Sequence, residues 1–81
     1  MTEPIHTWNY RVMRRELTGE FGFTDVEYAI HEVHYTDGKI VGYSTNAMYP
    51  MGDTPEELRE DLKHMLMALE RPLLDFEKEK A

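Results

Sequence analysis

The stretch Tyr49-Pro50-Met51-Gly52-Asp53-Thr54-Pro55-Glu56-Glu57-Leu58 constrains this chain more than any other. Proline has no amide hydrogen to give to a β-ladder, so Pro50 ends any sheet that precedes it. Thr54 supplies an oxygen that can cap a helix, and Pro55 suits the first helical position, where a missing donor costs nothing. Glu57 completes a capping box with Thr54, and Glu56 and Glu57 both favour the positive end of a helix dipole. Strands are therefore expected before residue 50 and a helix from residue 55.

The helix can be followed by its period. Leu58, Leu62, Met65, Leu66 and Leu69 fall on one stripe at helical spacing, with Glu56, Arg59, Glu60, Lys63, His64, Glu70 and Arg71 opposite. Burying five such side chains at roughly 1.5–3 kcal/mol each outweighs a cap worth about 1 kcal/mol. The stripe is expected to hold the helix down, and the cap to set where it begins. Met67 sits on the polar side, which makes it a candidate contact residue for another chain. Arg71-Pro72 ends the helix, because the residue before proline is pushed out of the α region. Leu73-Leu74-Asp75-Phe76 is apolar enough to dock, as a short strand or an extra turn.

Upstream of Pro50 the period is two. Trp8, Tyr10 and Val12 alternate with Asn9, Arg11 and Met13, so residues 8–14 read as a half-buried strand. Gly19 and Gly22 mark a turn, and Phe21 and Phe23 within it are expected to fold back over the sheet edge or to form an exposed contact patch. Residues 26–35 form a second strand that changes parity: Val26, Tyr28 and Ile30 share one face, Val33 and Tyr35 the other. Either a β-bulge near His31 shifts the register or both faces are partly covered. Asp37-Gly38 is a hairpin signal, and residues 39–45 read as the third strand, with Gly42 marking a bend. Residues 1–7 and 77–81 are expected to be loosely held.

These elements predict a single α+β domain: a three-stranded antiparallel meander with one amphipathic helix packed on one face (β-β-β-α), and a short fourth strand at residues 73–76 as an option. One helix covers one face. The other face or an edge must then be polar or covered by a second chain, and a weak homodimer is expected.

Composition narrows function by exclusion. The 81 residues contain no cysteine, which removes disulfides and thiolate metal sites, and so small a chain buries only about 60–65% of its unfolded surface. The formal net charge of −7 repels phosphate backbones and anionic membranes, so nucleic acid is disfavoured and a basic protein partner is the sharper expectation. No apolar run approaches a membrane span, and the start lacks a signal-peptide pattern; a cytoplasmic protein is expected.

Catalytic patterns are missing too. His31-Glu32-Val33-His34 is superficially like a zinc helix, but the histidines are three apart on a predicted strand, and their rings should face opposite ways. His6 and His64 are read as exposed and unrelated to them. Ser44 has no glycine-rich elbow, the carboxylates of Glu56-Glu57 and Glu60-Asp61 are read as a solvated flank, and no phosphate-binding glycine loop exists. No enzyme, cofactor or metal is expected. Arg11, Arg14 and Arg15, near Trp8 and Tyr10, form the only basic cluster and carry the alternative reading, a binder of single-stranded RNA. A small enzyme or metabolite binder would need a convergent pocket.

Residues 52–58, Gly-Asp-Thr-Pro-Glu-Glu-Leu, resemble the strand-to-helix junction of HicB-like antitoxin domains, where a similar run opens the helix after a three-stranded meander. The wider pattern is Trp8-Asn9-Tyr10-Arg11-Val12, Ile30-His31-Glu32-Val33, the helix opening, and Arg71-Pro72-Leu73-Leu74. It resembles small uncharacterised bacterial proteins over nearly the whole length. A Pro-Asp-x-Pro-Gly segment usual before the HicB helix is not present. The resemblance implies the meander-and-helix arrangement and a protein-binding, antitoxin-like role, and it transfers no catalytic residue.

Overall fold

In the computed structural model, which describes residues 3–79, the sheet precedes the helix as the Pro50 and Thr54 signals require. Strands β1 (His6–Thr18) and β2 (Thr24–Thr36) pair antiparallel without interruption from His6↔Thr36 to Thr18↔Thr24. Strand β3 (Lys39–Tyr43) returns beside β2 through a turn in which Asp37 (φ 51°) and Gly38 (φ 80°) both take the left-handed conformation that an Asp-Gly hairpin needs. Helix α1 (Pro55–Met67) tightens into a 3₁₀ turn over Ala68–Glu70, and Arg71 is extended ahead of Pro72. Strand β4 (Leu74–Asp75) then joins β1 in parallel, giving the order β3-β2-β1-β4, and a single turn α2 (Phe76–Glu79) follows. The fold is α+β, a meander with one long helix and a short fourth strand, as expected.

Thr54 caps α1: its hydroxyl accepts the Glu57 amide at 3.1 Å. The reciprocal bond reaches one residue further back than in the simple capping box, from the Asp53 amide to Glu57 Oε2 at 2.8 Å. Gly52 is needed for a tertiary reason. A Cβ there would lie 2.5 Å from the Leu58 amide nitrogen and 2.7 Å from Glu57, inside the first turn of the helix.

Both faces of the sheet are covered, which explains the parity change in β2. Tyr10, with Val12, Ile30 and Met48, packs against Met65 and Ala68 of the helical segment. On the reverse face Met13 and Val33, both fully buried, pack under Phe76, with Tyr35, Ile40, Tyr43 and Leu74 around them. The register shift lies between His34 and Tyr35, where Val41 is left without a partner next to Gly42. The bulge is therefore in β3, not near His31.

His31 is the one buried polar side chain among the described residues, and its Nδ1–H donates to the Ser44 carbonyl at 2.8 Å. It points away from His34, as the strand period requires. Among the described residues no group of three or more His, Asp or Glu is placed to hold a metal. No helix among them is long and apolar enough to cross a membrane.

Four expectations need correction. The helix stripe is mostly uncovered: of its five residues only Met65 is buried, while Leu58, Leu62, Leu66 and Leu69 are exposed. The helix is rolled so that Asp61, Met65 and Ala68 face the sheet, because Tyr10 donates its hydroxyl hydrogen to Asp61 at 2.6 Å and Gly52 lets the chain press against the first turn. Asp61 is accordingly not on a solvated flank. Of the two expectations for Phe21 and Phe23, folding back fails and exposure holds: they are 85% and 74% exposed, since β1 and β2 stay paired to the turn and carry them beyond the reach of α1. His6 and Thr7 belong to β1, with His6 stacked on His34 at 5.1 Å, so these two histidines are not unrelated, and residues 77–79 belong to α2. Residues 1–2 and 80–81 lie outside the described residues.

Candidate protein-interaction surfaces

Helix α1 divides its side of the molecule into two unlike surfaces. Along one flank, between α1 and the start of β1, runs an open cleft of aromatic and acidic side chains. Trp8 and Tyr10 sit on the same strand face, two residues apart, and meet edge to face with ring centroids 5.3 Å apart. Trp8 remains half exposed. Met67, His64 and Arg71 complete one end of the cleft; Glu32, Glu56, Glu57, Glu60 and Asp61 line the rest.

The floor of this cleft is electrostatically set. Burial pushes the Tyr10 phenol up to about 12, helped by its hydrogen bond to Asp61 and by the charges of Asp61 and Glu32. Asp61 in turn is held below the usual carboxylate range by that hydroxyl and by the Met51 amide, which donates to its other oxygen at 2.9 Å. Asp61 therefore stays charged beneath the cleft. At its rim His34 Nε2 donates to Glu32 at 2.6 Å, and the His34 and His6 rings lie 3.0 Å apart at their nearest nitrogens. A cation entering the cleft would meet these carboxylates together with the face of Trp8.

The opposite flank of α1 has another character. Leu62, Leu66 and Leu69 rise beside Tyr28, Ala29 and Ile30 of β2 and Ala47, Met48 and Pro50 of the following loop. Among the described residues no charged side chain lines this groove. Beyond Tyr28, on the arm formed by the ends of β1 and β2, exposed Val26 shares the same strand face with the Arg14–Glu16 pair.

Of the residues singled out in the sequence, Trp8, Tyr10 and Met67 come together in the acidic cleft. The arginines do not form one surface. Arg11 donates to Tyr35 at 2.9 Å and to the Pro72 carbonyl at 2.7 Å, and Arg15 donates to the Thr45 carbonyl and lies 4.1 Å over the Phe76 ring. Arg14 is on the other face, paired with Glu16 at 3.2 Å. Phe21 and Phe23 form a separate tip. Sequence reasoning missed Glu32 as a cleft residue, read Glu56, Glu57, Glu60 and Asp61 only as a solvated flank, and assigned the groove leucines to the core. The same-face spacing of Trp8, Tyr10 and their cross-strand neighbours His34 and Glu32 was the signal for Glu32. Comparison with protein-family models, with curated proteins and with solved structures gave no match, so the reading rests on this geometry.

Proposed function

We propose that the chain is a non-enzymatic protein-interaction module that takes a basic segment of another protein into the cleft between α1 and β1. An antitoxin-like regulator of a small basic protein is the form of this role that agrees with the helix-opening sequence, and a cysteine-free acidic chain suits the cytoplasm. The carrying observation is the half-exposed Trp8 set against Glu32, Glu56, Glu57 and Glu60. A lysine or arginine entering there gains both the ring face and the carboxylates.

Trp8 is the only tryptophan in the chain, so its emission reports on the cleft directly. Titration with a short Lys/Arg-rich peptide is expected to shift that emission to saturation. The shift should weaken as salt rises, and an acidic peptide of equal length should leave it unchanged. Glu60→Lys should weaken the response. Emission indifferent to the basic peptide at low salt would refute the reading.

A further inference from the structure

The groove on the other flank of α1 calls for an occupant of a different kind. The chain exposes 6384 Å², whereas a compact monomer of this mass exposes about 5,100 Å². Its radius of gyration is 14.8 Å, against about 12 Å for a compact chain of this length. The excess surface, on the order of 1,000 Å², matches what each partner buries in a standard stable interface, about 800 Å². Part of the exposed surface is the apolar run of Leu62, Leu66 and Leu69 on the helix beside Tyr28, which is flanked on its strand face by the mutually neutralised Arg14–Glu16 pair.

Charge decides which partner fits. A basic protein is drawn to the carboxylates on the other side of α1, not to a groove without charge. Two copies carrying −7 each repel wherever acidic surfaces face one another, and the groove is a place where they can meet without doing so. Shape agrees. Leu62, Leu66 and Leu69 follow i, i+4, i+7 spacing, the seam by which a helix packs against another helix. The groove beside them provides the complementary hollow, as a two-fold interface requires of a single surface. A chain of this size without disulfides also commonly completes its core by self-association.

We infer that the groove between α1 and β2 is the interface of a symmetric homodimer, with a second copy of this chain covering Leu62, Leu66, Leu69 and Tyr28. This interface shares only Met48 with the cleft that holds Trp8, among the described residues, so a change at Leu66 should remove one without the other.

Light scattering coupled to size exclusion at two concentrations is expected to give twice the chain mass, and Leu66→Glu to give the single chain mass. Leu73→Glu, at an exposed site outside the groove, should leave the dimer intact. The Leu66→Glu monomer should still give the Trp8 emission response to the basic peptide. Should Leu66→Glu fail to fold, Leu69→Cys provides a unique thiol for a spin label, and dipolar coupling between labels on two chains is expected. A wild-type monomer at both concentrations would overturn the assignment and leave the groove to a different protein. So would a dimer that survives Leu66→Glu, or labels that show no coupling.

Discussion

The two faces of the sheet are built on different terms. The face under Phe76 is closed by packing: Met13 and Val33 are fully buried, and the Phe76 ring touches Tyr43, His31 and Arg15. The face under α1 is held at a few points, with Tyr10, Met65 and Ala68 at its centre and open flanks on both sides. A four-residue turn near the end of the chain thus seals its face better than the thirteen-residue helix seals the other. The reason lies in what each must leave free. Phe76 is a plug, whereas α1 is a ridge that keeps two surfaces uncovered.

The largest test of this contrast is Phe76→Ala. It should cost about 3–5 kcal/mol, measured by urea unfolding, because a full aromatic side chain leaves a cavity in a closed face. A loss under 1 kcal/mol would mean that the Phe76 face is no better packed than the other. Gly52→Ala comes next, at about 3 kcal/mol, the upper end of overpacking losses, since its Cβ would meet helix backbone that has little room to move. Because Gly52 and Glu57 both line the cleft, the peptide response of Trp8 should weaken along with stability.

The Tyr10–Asp61 bond sharpens the comparison through pH. Tyr10 titrates higher folded than unfolded, so its contribution is whole below pH 10 and is lost as pH rises from about 10 to about 12. Stability should fall on the order of 2 kcal/mol over that interval, and Tyr10→Phe should remove this part of the alkaline decline. Asp61 has the opposite sense. Its folded value is depressed, so its contribution is present above the ordinary carboxylate value and lost as pH falls through the folded one. Asp61→Asn should flatten that acid limb in a thermal-melt series. The smallest effect is Thr54→Ala, at about 1 kcal/mol for the lost cap, with the groove and the cleft functionally unchanged. Lost peptide binding at unchanged stability would show that the junction has a role beyond starting the helix.

Local chemistry was readable from the chain alone. The positive φ at Asp37 and Gly38, the stop at Pro50, the cap at Thr54 and the end before Pro72 each depend on a few adjacent residues, and each appears where those residues put it. The option of a short fourth strand was also present in Leu73–Phe76, although not its parallel pairing with β1. Of the interaction residues, Trp8, Tyr10 and Met67 were legible as candidates, but their meeting was not.

What the period of the helix could not reveal was its roll. Leu58, Leu62, Leu66 and Leu69 are as apolar as any core residue, and a stripe states only which side chains share a side, not whether anything covers it. That depended on contacts between residues far apart in the chain: Tyr10 with Asp61, Gly52 against the first turn, and Phe76 over Met13 and Val33. The sequence by itself determined where strands and helix begin and end, because those choices are made by backbone donors, caps and φ within a few residues. Only the tertiary structure decided which apolar surface is buried and which is left open, because burial is settled by the partner that arrives.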